Sequence, residues 1–277
     1  MGGPRWSHRS HPNFMGGPRH SHFYWPTGRI VGGTNAQLSE TPYQLRLIIR
    51  KPGSVTNCGA VLVASFNIQF ALTAAHCVNG ATASPSKMEV IAGLHNLKRK
   101  TGSEQTKNPI RVVKHSRYTS GNSANDIAIL FFATRFNPTS AVHQVKISGW
   151  GSTSIGRPNS QSIYPDILQV LTISTLDNAE CQRRFGHLGT ITSKQICLLQ
   201  PGVMVGSCTG DSGGPAAGID SNGRMYVAGL SSYHLGGCGG GRFPMFYTRV
   251  SAYISWIQRR VNEFKNSQRI QMEDRYS

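Results

Sequence analysis

No stretch of about 18 apolar residues occurs anywhere in the 277-residue chain, which excludes a membrane-spanning helix. Residues 1–28 also lack the apolar core of roughly 7–15 residues that an export signal needs. Zinc-cluster spacing is missing too, because the six cysteines stand far apart. Acids are scarce, 12 Asp and Glu against 29 Lys and Arg, for a net charge of +17. The first 29 residues carry four arginines and no acid at all. Such a charge attracts anionic partners in general, among them a polysaccharide, a bacterial envelope or an acidic protein. No nucleic-acid-binding motif accompanies it, so a specific nucleic-acid partner is not expected. Runs such as Lys98-Arg99-Lys100 and Arg259-Arg260 read first as solvated faces.

What is present fits a globular chain with many turns: 38% apolar residues and 31 glycines. Length alone suggests about two domains, but β-barrel proteins of roughly 200–250 residues often form one unit. The first 28 residues contain a near repeat, Met1-Gly2-Gly3-Pro4-Arg5 and Met15-Gly16-Gly17-Pro18-Arg19, each followed closely by Ser-His. This composition cannot bury a core and reads as a disordered basic tail. His8, His11, His20 and His22 could gather a metal ion, yet no cysteine or carboxylate completes a site, so no metal is expected.

From Tyr43 onward short apolar runs alternate with turn residues: Leu45–Ile49, Ala60–Ala64, Phe70–Thr73, Met88–Ile91, Ile110–Val113 and Ile127–Phe132. Further strands are expected at Leu168–Ile173, Met225–Leu230 and Met245–Val250. Tyr253, Ile254, Trp256, Ile257, Val261 and Phe264 recur at helical spacing, the pattern of an amphipathic helix docked on the body. Residues 265–277 read as a frayed tail.

One stretch organises the rest: Gly210-Asp211-Ser212-Gly213-Gly214-Pro215. A serine between an acid and two glycines suits a nucleophile on a tight loop, since glycine admits backbone angles that side chains forbid. Bent this way, the loop can aim successive N–H groups at a developing negative charge. Serine alone is a poor nucleophile and needs a base, which in turn needs an orienting group. The chain supplies Thr73-Ala74-Ala75-His76-Cys77 and Asp126-Ile127-Ala128-Ile129-Leu130. With Arg29-Ile30-Val31-Gly32-Gly33 and Gly149-Trp150-Gly151, five motifs stand in the order found in the trypsin/chymotrypsin-like serine endopeptidases. The chain resembles that family from about Arg29 to about Phe264.

The resemblance implies an all-β fold, two packed six-stranded antiparallel β-barrels followed by a C-terminal α-helix. It implies His76, Asp126 and Ser212 as catalytic triad, and the N–H groups of Gly210 and Ser212 as oxyanion hole. It implies bridges Cys58–Cys77, Cys181–Cys197 and Cys208–Cys238, hence an oxidising compartment and a secreted protein. The missing leader disagrees with that compartment; a start lying elsewhere is the expectation, another export route the alternative. Arg29-Ile30 matches the family's activation bond, where a trypsin-like protease would cut and the new Ile30 ammonium would pair with Asp211. The domain organisation so read is a tail and activation segment over 1–29, a protease domain over 30–264 and the frayed end.

Substrate residues follow residue by residue from the resemblance: Gly206, Ser232, Tyr233, His234 and Met245. Gly206 stands at the pocket floor where trypsin carries an acid, so a bound Lys or Arg would lose hydration without a partner. Met245 would fill part of the pocket, and small to medium apolar side chains are expected. His234 could accept an acidic side chain when protonated; a neutral wall is the first expectation. No cofactor is required, and Leu94 occupies a position where the family's calcium loop usually offers a carboxylate. Two departures stand out: a longer stretch around Ser65-Phe66-Asn67-Ile68 and a short connector from Asp126 to Gly149. Expected partners are protein or peptide substrates, the activating protease and an anionic polysaccharide or surface, with the chain itself a monomer. The competing reading is a weakly active or inactive basic binding protein built on a protease scaffold.

Overall fold

In the computed structural model the described residues are 30–38, 40–120, 124–136, 146–153, 163–200, 202–220, 222–235, 237–238 and 243–276. The 1–28 tail, Arg29 and the central part of the 126–149 connector lie outside them. Among the described residues fifteen strands are formed. In chain order they are β1 (Thr34–Asn35), β2 (Gln44–Lys51), β3 (Ser54–Ser65), β4 (Ile68–Thr73), β5 (Met88–Ala92), β6 (Gln105–Lys107), β7 (Arg111–Lys114) and β8 (Ala128–Phe131). Then come β9 (Lys146–Gly149), β10 (Gln169–Thr172), β11 (Thr175–Leu176), β12 (Gln195–Leu198), β13 (Pro215–Ile219), β14 (Met225–His234) and β15 (Met245–Arg249). Helices are α1 (Ala75–Val78), α2 (Asn178–Phe185) and α3 (Ile254–Tyr276).

The first sheet has the order β6-β5-β2-β3-β4-β8-β7, the second β1-β10-β9-β13-β14-β15-β12-β11, with every pairing antiparallel. Setting aside the short edge strands β1, β6 and β11, each sheet is the six-stranded curl expected.

Alternation explains the first core. Leu45, Leu47 and Ile49 on β2 and Met88, Val90 and Ala92 on β5 turn to one face and meet Ala128 and Leu130 of β8. Along β8 the period of two sends the neighbouring residues the other way. Ile129 and Phe131, with Ile127 just before the strand, form a second cluster with Trp256, Ile257, Val261 and Phe264 of α3. Phe131 and Phe264 stack at 4.2 Å between ring centres and 9° between planes. Full burial of a large apolar side chain contributes on the order of 1.5–3 kcal/mol, so this seam fixes α3 to the first sheet. A separate core of Ile147, Ile196, Leu198, Ala216, Met245 and Tyr247 fills the second sheet.

One local feature adds to the sequence expectations and two differ from them. The longer stretch after β3 closes as a two-residue hairpin turn in which Phe66 (φ 54°) and Asn67 (φ 62°) are both left-handed, as a twisted hairpin favours. The final helix does not fray at 265. It continues to Tyr276, because residues 265–276 contain neither Gly nor Pro to stop it. Ile254, counted with the apolar stripe, is instead 47% exposed.

Disulfides join Cys58 to Cys77, Cys181 to Cys197 and Cys208 to Cys238, and no cysteine is free.

Candidate active site

Where β4 ends, the buried Ala74–Ala75 pair turns the chain into α1 and sets His76 at the edge of the first sheet. The Cys58–Cys77 bridge ties that short helix to β3. Asp126 stands two residues before β8. Its carbonyl accepts the Thr248 hydroxyl from β15 at 2.8 Å, and the preceding Asn125 (φ 60°) gives its N–H to the Tyr253 hydroxyl at 3.0 Å. Both contacts come from across the molecule, so the acid is clamped between the sheets.

The Asp126 carboxylate is almost fully buried and accepts three bonds. The His76 backbone N–H reaches Oδ1 at 2.9 Å, His76 Nδ1 lies 2.8 Å from Oδ2, and the Ser232 hydroxyl donates to Oδ2 at 2.6 Å. Burial pushes this carboxyl up, but the hydrogen bonds and charge of His76 and the Ser232 hydroxyl outweigh it and hold the group below its ordinary value. A carboxylate only accepts, so Nδ1 carries a proton and Nε2 is left as the basic nitrogen.

Ser212 belongs to the second sheet's side of the junction, in the loop that feeds β13. Gly59 of β3 donates its N–H to the Ser212 carbonyl at 2.8 Å. Gly213 (φ 76°) stands so close to the Gly59 carbonyl and Thr73 that no side chain fits, which explains the glycine after the serine. His76, Gly210, Ser212 and Ser231–His234 line one cleft of about 420 Å³. No hydrogen bond joins Ser212 Oγ to His76 among the described residues; such bonds commonly tighten only in the substrate complex. The N–H groups of Gly210 and Ser212 meet no acceptor among the described residues either, and Gly210 is left-handed at φ 100°.

Asp211 is fully buried under this loop. Its two oxygens accept the Gly151 N–H at 2.7 Å and the Cys208 N–H at 2.8 Å. Burial pushes its carboxyl up to about 7 despite those donors. No cation pairs with it among the described residues. Ile30 is 0% exposed, packed with Val205 and Ile147, and Val31 exchanges hydrogen bonds with Gly206 at 3.0 and 2.8 Å.

The Met245 thioether lies against Gly206, and its sulfur accepts the Ser207 N–H at 3.0 Å; neither Gly206 nor Met245 is among the residues that line the catalytic cleft. His234 borders the cleft, and burial holds its imidazole below the ordinary value, which favours a neutral wall. The Tyr233 ring stacks on Phe246 at 4.6 Å, and its hydroxyl accepts from Gln195. Ser232, expected only as a pocket residue, spends its hydroxyl on Asp126. Leu94 packs with Ala36, Trp150 and Leu168, and the Glu104 carboxylate is taken up by the N–H groups of Thr101 and Gly102. Arg46, which sequence reasoning missed, lines a second cleft of about 510 Å³ beside Gly210 and donates to Asn57 Oδ1 at 2.9 Å. A basic residue alternating along a strand carries no motif, so only the fold exposes it.

Comparison with known proteins decides the family: the model described as Trypsin matches residues 30–257. The chain belongs to the trypsin family. It is 35% identical to Trypsin-1 of Astacus astacus over 244 residues, 83% of this chain and 98% of that protein. It is similar also to fibrinolytic enzyme, isozyme C, of Lumbricus rubellus, with 38% identity over 252 residues, 82% of this chain and 98% of the relative. Chymotrypsin-like elastase family member 1 of Macaca fascicularis is 33% identical over 252 residues, 84% and 90% of the two chains. As a trypsin-family protein it is a serine-type endopeptidase, a hydrolase of proteins. No helix among the described residues is long and apolar enough to cross a membrane.

Proposed function

We propose that this chain is a secreted endopeptidase, made as a zymogen and activated by cleavage after Arg29, that cuts after small to medium apolar residues. The observation that carries the catalytic part is the buried Asp126 carboxylate bound to His76 and Ser232 at the cleft that holds Ser212. In the proposed cycle Ser212 Oγ attacks the peptide carbonyl carbon while His76 Nε2 takes the hydroxyl proton. The tetrahedral oxyanion rests on the N–H groups of Gly210 and Ser212. Collapse breaks the C–N bond, and His76 returns the proton to the departing amine. Water then attacks the acyl-serine with His76 as base, releasing the acid and restoring Ser212. Asp126 holds the tautomer and stabilises the imidazolium; no cofactor takes part.

The relatives' names include both trypsin and elastase, so the pocket residues must decide preference. The catalytic cleft has no carboxylate in its lining, Gly206 offers no charge for Lys or Arg, and the Met245 thioether packed against Gly206 supports a floor that leaves room only for small to medium side chains. The three disulfides support an extracellular setting.

The test is labelling by a fluorophosphonate before and after limited cleavage at Arg29. Labelling is expected only after cleavage, and a peptide library should then show Ala, Val and Leu ahead of Lys and Arg. Met245→Gly should move that preference toward Phe and Tyr. Absence of labelling in the cleaved, disulfide-bonded protein would favour the binding-protein reading instead.

Activation should also leave a mark on stability. The folded Asp211 pKa, about 7, lies above the ordinary 3.8, so ionising it opposes folding. In the uncleaved chain stability from this group is greatest below pH 4 and falls as pH rises to 7. The gap corresponds to on the order of 4 kcal/mol. An Ile30 ammonium beside the carboxylate would remove that slope. Denaturant midpoints of Ser212→Ala, uncleaved and cleaved, should diverge between pH 4 and 7, and the divergence should vanish with Asp211→Asn; parallel curves would sink this account.

A further inference from the structure

A cleft of about 390 Å³, sharing no residue with the catalytic one, opens where the loop after β7 meets the approach to β12 and the start of α3. His115, Arg117, Lys194, Tyr253, Trp256 and Arg259 line it, and no acid does. In a chain so poor in acids, the ion pairs fall elsewhere: Arg50, Lys98, Lys146, Arg183, Arg224 and Arg260 each have a carboxylate. Arg117, Lys194 and Arg259 have none within ion-pair distance among the described residues.

The cleft is also built rather than merely charged. Lys194 is held at the wall by Asn125 Oδ1 at 3.2 Å and lies 5.8 Å from the centre of the Tyr253 ring. The His115 ring packs against Tyr253 and Trp256 at 5.5 and 4.9 Å, and its Nδ1 accepts the Arg117 N–H at 3.2 Å. Burial, then the charges of Lys194, Arg117, Arg260 and Arg259, hold that imidazole below its ordinary value, a sign of the positive potential there.

We propose that this cleft is a docking site for a sulfated polysaccharide, with Arg117, Lys194 and Arg259 receiving its sulfate groups. Guanidinium groups pair with such oxyanions through two parallel N–H bonds. The choice of occupant follows from the rings. Tyr253 and Trp256 are 3% and 6% exposed, so they form the floor and offer no free face on which bases could stack. A volume near 390 Å³ is on the scale of ligand pockets and admits a substituted sugar ring.

The site is independent of hydrolysis, so its test and that of the endopeptidase reading fail separately. The full chain carrying Arg117→Gln and Arg259→Gln is compared with one carrying Arg99→Gln and Lys100→Gln, which removes the same charge from another surface. Affinity for a heparin octasaccharide is measured by calorimetry at several salt concentrations. The first pair is expected to weaken binding at least tenfold, with the slope of log affinity against log salt shallower by about two, roughly one per lost contact. The control pair should stay within about twofold, and fluorophosphonate labelling of the cleaved proteins should be unchanged in both. Equal weakening by the two pairs would reduce the effect to diffuse charge and overturn the site. Single-stranded DNA or anionic vesicles that bind as tightly, with the same dependence on Arg117 and Arg259, would overturn the polysaccharide. Arg259→Glu alone should weaken heparin binding further than Arg259→Gln, a check that does not depend on the double variant folding.

Discussion

Ser212→Ala is expected to lower kcat of the cleaved enzyme by about 10⁶-fold, the loss that follows removal of the nucleophile in Ser–His–Asp hydrolases. The loss should fall on the chemical step. Ser231–His234 would still line the cleft for a substrate, and the loop would keep its shape through the Gly59 N–H to Ser212 carbonyl bond, which needs no hydroxyl. Peptide binding measured by fluorescence should therefore change little while turnover vanishes. Single-turnover kinetics with an activated ester should show no acyl-enzyme burst. A variant that kept even a hundredth of the parent rate would mean that Ser212 is not the nucleophile.

Asp126→Asn should cost about 10⁴-fold in kcat, the magnitude typical of this exchange in such triads. The shapes match, but an amide nitrogen placed toward His76 Nδ1 donates where the carboxylate accepted. Nδ1 then becomes the acceptor, Nε2 takes the proton, and the ring cannot serve as base. The Ser232 hydroxyl, now 2.6 Å from Oδ2, must turn or lose its partner. Steady-state kinetics on the cleaved variant, with KM nearly unchanged, would bear this out; a loss below tenfold would show that Asp126 does not set the tautomer. Because the carboxyl is held below its ordinary value, its own ionisation should not limit activity above about pH 4.

Much of this was readable along the chain, for reasons that differ by element. β2 and β5 announce themselves by alternation, which is the sheet's own period. β13 does not: Pro215-Ala216-Ala217-Gly218-Ile219 has little β-propensity and becomes a strand because β14 and β9 pair with it. The four residues of β12 are too few to show any period, although all four are buried. At the site, His76, Asp126 and Ser212 stood inside motifs, and the approach of Met245 to Gly206 followed from the family's pattern. Ser232 giving its hydroxyl to Asp126 could not be read, since the two lie 106 residues apart. The cationic cleft escaped for the same reason: Arg117, Lys194 and Arg259 are dispersed in sequence, and only the docking of α3 gathers them.

His76 and Asp126 ride on one sheet, Ser212 on the other, and each sheet has a hydrophobic core of its own. If these three act together as proposed, turnover is a gauge of alignment between two bodies, not of the soundness of either. The ties across the seam include Thr248 to the Asp126 carbonyl, Ser232 to its carboxylate, Gly59 to the Ser212 carbonyl and Ser148 to Gln44. A slip of about 1 Å across that seam would cost on the order of a hundredfold in rate, while every strand and both cores stayed intact. Substitutions far from any substrate, along Phe131 and Phe264 for example, can therefore silence the enzyme without unfolding it.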